Sequence, residues 1–110
     1  MPPGKVDMKI LNLIIPKDYQ IIGTEKYGVE LYKLIEREID YDNNELYEIV
    51  IPTNVQMLAL TFLKGFFKSP ISNNKFEFFI TNVKFKGNLD VINEIEQYLS
   101  DNSGLKLINQ

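Results

Sequence analysis

Thr61 and Lys64 stand three residues apart in the run Leu60-Thr61-Phe62-Leu63-Lys64. If that run is helical, a hydroxyl and an ammonium group share one face. A hydroxyl at a helix start satisfies an orphan backbone N–H, and helix capping is the leading reading for Thr61. The second reading is a contact point for a partner. A helix start tolerates negative charge, and Lys64, one turn on, adds a cation. Asn82 is the third candidate. Its leading reading is a turn residue that bonds its own backbone. Its second is a polar contact at the carboxyl ends of strands, where open α/β sheets bind ligands.

Little else in the chain promises chemistry. Cysteine and histidine are both absent, which removes thiol nucleophiles, disulfides, the usual proton shuttle and the common zinc ligand sets. The carboxylate pairs Glu36/Asp40 and Glu94/Glu96 read as solvated helix surface, since acid–base work needs a perturbed carboxyl in a cleft. No Gly-rich phosphate-cradling motif occurs. The expectation is a protein that is not an enzyme and carries no metal and no cofactor.

The net charge is −3 and the pI about 4.9, which argues against nucleic acid as the main partner. The distribution is uneven. Eight acidic residues from Glu25 to Glu48 face only Lys26, Lys33 and Arg37, while five lysines from Lys64 to Lys86 face only Glu77. The plain reading is solvated lysines on separate elements; the sharper one is a patch for an acidic partner or a phosphate. Phe76, Phe78, Phe79 and Phe85 interleave with Lys75, Lys84 and Lys86. That pattern could serve as a stacking platform, but core packing fits it better. No apolar run reaches the ~18 residues of a membrane span, and no secretory signal is visible. A cytoplasmic location is expected, and the oligomeric state is open.

The elements that must position these residues follow from periodicity. Lys9 to Ile15 and Tyr19 to Ile22 read as two strands paired across a turn at Pro16–Asp18. Thr24 offers an N-cap to a helix over 25–39, with Gly28, Leu31, Tyr32, Ile35 and Ile39 on one face. Gly28 on that face permits close backbone packing. Asp42-Asn43-Asn44 is a turn. Leu46 to Ile51 reads as a strand covered on both faces. A helix follows over 61–68, then Phe76 to Ile80 as another buried strand, parallel to 46–51. Asn88 and Asp90 open a last helix over 89–101, with Leu89, Ile92, Ile95 and Leu99 on its apolar face. The expected core is Ile35, Ile49, Ile51, Phe62, Phe66, Phe78, Ile80, Ile92 and Ile95.

The predicted fold is α/β, a mixed sheet of about four strands with three helices in the order ββαβαβα. Residues 1–8 form an N-terminal extension, with Met8 a candidate native start. The domain covers 9–102 and a tail 103–110, in which Leu105 to Ile108 docks as a short strand or frays.

The run Met57-Leu58-Ala59-Leu60-Thr61-Phe62-Leu63-Lys64-Gly65-Phe66-Phe67 resembles the strand-to-helix junction of STAS-like domains, with Thr61, Phe62, Leu63, Phe66 and Phe67 at the matching positions. Gly23-Thr24, Gly28 and Leu31 are similar to that family's first helix, and Ile80-Thr81-Asn82 to the segment before its last. The resemblance covers roughly residues 9–101. It implies a STAS-like fold and a regulatory module that binds a larger protein of the ATPase or kinase type. It also implies that Thr61 occupies the position phosphorylated in anti-sigma-factor antagonists. The chain departs from those proteins just ahead of that position, where it has Leu58-Ala59-Leu60 in place of an Asp-Ser pair. Two other readings stand beside this one. The chain could be a small inhibitor or accessory protein of a phage or mobile element, or a small-molecule or nucleotide-binding domain.

Overall fold

A computed structural model describes residues 8–103. Five strands and five helices follow along them: β1 (Met8–Asn12), β2 (Ile21–Ile22), α1 (Glu25–Glu36), β3 (Leu46–Val50), β4 (Met57–Leu58), α2 (Leu60–Phe66), α3 (Lys68–Ser72), α4 (Phe76–Thr81), β5 (Val83–Lys86) and α5 (Leu89–Asn102). The class is α/β. Thr24 caps α1 as its sequence predicts, its Oγ1 accepting from the Tyr27 N–H at 3.2 Å. The expected turn at Pro16 is present, with the Tyr19 N–H donating to the Pro16 carbonyl.

The strands form two sheets, and every pairing among the described residues is parallel. One sheet has the order β1-β3-β5; the other is a short ladder of β2 with β4. Register settles which side chains share a side. Leu11, Ile49 and Phe85 lie in one row, and Tyr47 and Val83 in a row of the same side; all belong to or pack on the core. Ile10, Glu48 and Lys84 form a row on the other side, followed by Asn12, Val50 and Lys86. None of these six belongs to the core cluster, whereas the buried residues of the longer helices all do, Gly28 and Gly65 aside. The helices therefore pack on one side of the three-stranded sheet. The strand order advances in one direction, β1 to β3 to β5. Crossovers of a single hand then keep returning on the same side, and no reversal of order sends a helix to the other.

The core is aromatic at its centre. Phe67 is fully buried and its ring meets those of Phe66, Phe76, Phe79, Phe85 and Tyr98. These are mostly edge-to-face contacts, the arrangement that ring quadrupoles favour. Gly28 sits where α1 crosses α2, as its place on the apolar face predicts. A Cβ there would fall 2.2 Å from the Phe62 carbonyl oxygen. Gly65 opposes it: a Cβ would lie 2.0 Å from the Glu25 carbonyl oxygen.

Several expectations are corrected. Residues 76–80 are not a strand parallel to 46–51 but lie in helix α4, and the strand beside β3 is β5, at Val83–Lys86. A short apolar run such as Phe-Glu-Phe-Phe-Ile fits a buried strand or a buried helical turn equally well. Here Asn74, at φ 59°, closes the loop ahead of it, and Phe76 and Phe79 bury at helical spacing. The first two strands do not form a hairpin, because β2 pairs with β4 instead. The sheet is thus not mixed, and the described order is ββαββαααβα rather than ββαβαβα. Helix α1 ends at Glu36 and not at Ile39. In α5 the buried stripe is Val91, Ile95 and Tyr98, while Leu89 is exposed. Phe78, Ile80 and Ile92 are half-buried rather than core. The alternation of Lys84, Phe85 and Lys86 is that of a strand with one apolar side, so no aromatic platform forms there. The expected fate of Leu105 to Ile108 lies outside the described residues.

Candidate functional site

Thr61 is the second residue of α2, one place inside the helix. The N-cap position belongs to Ala59, which makes no side-chain bond. The capping reading of Thr61 is therefore corrected: its hydroxyl donates to the Gly23 carbonyl, just ahead of α1. The crossing of α1 and α2 at Gly28 and Gly65 brings these starts together. The Ala59 N–H donating to the Ile22 carbonyl at 2.8 Å ties the same corner to β2. Lys64 is exposed one turn further along α2. It forms no ion pair among the described residues, whereas Lys68 reaches the Glu25 carboxylate at 3.7 Å.

The surroundings of Thr61 add what the residue types did not announce. Ile21 and Met57 are register partners in the β2–β4 ladder, and both are exposed. Leu60 precedes Thr61 and is 58% exposed; Ile21 is 65% exposed. Beside them a shallow cleft of about 410 Å³ runs between Tyr19, Ile21, Gly23, Thr24, Tyr27 and Glu30. Three exposed aliphatic residues thus come from the segments that meet at Thr61, two residues before Gly23, on β4 and next to Thr61 itself, with Lys64 one turn along α2. Single exposed aliphatics are ordinary on a protein surface, but a group of them is a feature of contact surfaces. The sequence signal was present in Ile21-Ile22 and Met57-Leu58, where one member of each pair had to face out of a two-residue strand.

Asn82 does not join this corner. It is buried between α4 and β5, at the amino end of β5 and not at a carboxyl end. The displaced position follows from the misread strand at 76–80. Its Nδ2 donates to Asn44 Oδ1 and to the Glu45 carbonyl, both at 3.0 Å, and its Oδ1 accepts from the Thr81 hydroxyl. Its own carbonyl accepts from the Tyr47 N–H. The amide fastens the entry of β3 to the entry of β5. Asn88 does similar work at the other end, its Nδ2 donating to the Thr53 and Val55 carbonyls at 2.7 and 2.8 Å.

A phenol cluster lies beneath the turn at 40–44. The Tyr32 and Tyr41 hydroxyls share a hydrogen bond of 2.7 Å, and Tyr47 Oη accepts from the Asp40 N–H at 2.8 Å. Burial, reinforced by the bond to Tyr32, holds the Tyr41 phenol well above its ordinary range. Lys75 lies over the Tyr41 ring at 5.4 Å. A cleft of about 800 Å³ lies between β5 and the end of α5 and is lined by Phe79, Ile80, Val83, Phe85 and Leu99. Its wall reaches Ser103, the last described residue. Among the described residues no cluster of three or more acidic side chains could hold a metal ion, and no helix is long and apolar enough to cross a membrane. No family model, curated protein or solved structure matches the chain.

Proposed function

We propose that the chain is a non-catalytic regulatory module of STAS-like type that binds a larger protein, with the corner around Thr61 and Lys64 as its contact face. The observation that carries this reading is the exposed group Ile21, Met57 and Leu60 beside the Thr61 hydroxyl. Aliphatic side chains in such a group gain by being covered, at about 25 cal/mol per Å² of apolar area. Lys64 at the rim would steer an acidic partner surface and suppress a basic one. The resemblance of residues 57–67 supplies the partner class, an ATPase or kinase-type protein.

Phosphorylation of Thr61 would act at the same corner. It removes the donor that Gly23 accepts and sets a phosphate against a carbonyl oxygen, so the modified corner opens and its contact surface changes. Affinity capture from native lysate tests the reading. The Ile21→Asp/Leu60→Asp variant should lose the protein that the unaltered chain retains. Leu34→Asp, an equally exposed leucine on the outer side of α1, should keep it. Retention by all three chains, each shown folded by circular dichroism, would reject this face.

A further inference from the structure

The second side of the three-stranded sheet has no covering layer among the described residues. All-parallel sheets occur almost only with both sides covered, because their strands carry apolar side chains on both. Here the uncovered side carries Ile10, Leu46 and Val50, and Ile14 continues it by alternation between buried Leu13 and Ile15. Ile10 is 58% and Ile14 84% exposed. The charge on this side is not spread evenly. Lys84 and Lys86 stand together on β5, both exposed and neither in an ion pair among the described residues, whereas β1 and β3 carry the apolar residues, interrupted by Asn12 and by the half-buried Glu48, the register neighbour of Lys84.

From this arrangement we infer that the open side of the sheet is a second docking surface, and that its occupant is an amphipathic helix of a partner protein with an acidic flank. Dimensions favour a helix. Three strands set about 4.8 Å apart span roughly 10 Å, the diameter of one helix. The stretch from Met8 to Ile14 runs about 20 Å, which some 13 helical residues cover. A helix laid along β1 and β3 would set its apolar stripe on Ile10, Ile14, Leu46 and Val50, with a polar position facing Asn12 and Glu48 between them. Its neighbouring flank would then lie over Lys84 and Lys86, and carboxylates there would complete the charge. The lysine excess between Lys64 and Lys86 gains a use in this way, since the fold brings its last two members to the edge of the apolar strip. The inference does not depend on the Thr61 corner, which lies on the β2–β4 ladder.

The test uses the full chain and a designed probe. The probe is a helical peptide of about 18 residues with a leucine stripe flanked by glutamates, compared with one whose glutamates are lysines. Isotope-labelled chain is titrated with each to about 1 mM and followed by NMR. The acidic peptide should shift the resonances of Ile10, Val50, Lys84 and Lys86, with affinity falling as salt rises. Lys84→Glu/Lys86→Glu should weaken it about tenfold or more and reverse the preference to the lysine peptide. Ile10→Asp should weaken both peptides. Absence of shifts at the highest concentration, or equal affinity for the two peptides, overturns the inference. So does shielding of the Ile10, Ile14 and Val50 methyl groups from a soluble paramagnetic agent in the free chain. A dimer would then identify a second copy as the cover, and a monomer a segment of the chain itself.

Discussion

Replacing Gly28 by alanine adds one methyl group and should remove a large part of the stability. The crossing of α1 and α2 has no room for it: the new Cβ would stand 2.2 Å from the Phe62 carbonyl oxygen and 2.6 Å from the Phe66 nitrogen. Both are backbone atoms of a helix, so no side chain can swing aside. Helix α2 must withdraw by nearly 1 Å, and a gap of 0.5–1 Å forfeits about a quarter to a half of each dispersion contact. Phe62 and Phe66, both buried, ride on that helix. Overpacking of this kind costs about 1–3 kcal/mol, and a rigid neighbour on the far side of the contact puts it at the upper end. Alanine returns about 1 kcal/mol through its better helix propensity. The net loss should be about 2 kcal/mol, a fall of roughly 8–16 °C in Tm. Gly23→Ala makes the same chemical change where nothing lies within 4 Å and should be neutral or stabilising by about 0.4–1 kcal/mol. Gly65→Ala should resemble Gly28→Ala, and the double variant should lose less than the sum, since one withdrawal of α2 relieves both clashes. Urea denaturation at constant m-value measures all four. A loss below about 1 kcal/mol for Gly28→Ala would refute the close crossing and with it the placement of Thr61 on Gly23.

Asn82→Ala should lower stability by about 1–3 kcal/mol, because it removes a buried amide and leaves the part-buried carbonyl of Glu45 without its donor; denaturation of the variant checks this, and partner capture should be unaffected. The phenols give a pH dependence. Burial raises Tyr41, and Tyr32 with it, above the ordinary value of 10.0, so the unfolded chain releases these protons first. Their share of the stability is intact below about pH 10 and is lost as the pH rises beyond it. Absorbance of tyrosinate at 295 nm should therefore show that the Tyr32 and Tyr41 phenols ionise late, as the fold melts, and their ionisation near pH 10 in the folded chain would reject the buried pair.

Local pattern alone carried the α/β class, α1 with its Thr24 cap, the strand at Leu46, the helix starting near Thr61 and the last helix at Leu89. Each rests on signals within a few residues: a capping hydroxyl, apolar positions at three and four, a branched run ended by proline. Gly28 was legible for the same reason, since a glycine on an apolar helical face has few uses other than close approach. Thr61 and Lys64 could be singled out by type and spacing, but what they touch could not. Whether Thr61 caps its own helix or bonds Gly23 depends on where a segment 38 residues away comes to rest. The strand role passes from residues 76–80 to Val83–Lys86, an exchange the local pattern cannot decide, because four aromatic or aliphatic residues among five satisfy either period. Only the demand for a third strand, on the free edge of β3, decides between them. Asn82 moved from one end of the sheet to the other with that exchange. The pairing of β2 with β4, and the side of the parallel sheet left uncovered among the described residues, belong to the tertiary structure altogether. Strand order is a relation among distant segments, and the side on which helices accumulate follows from the direction in which that order advances.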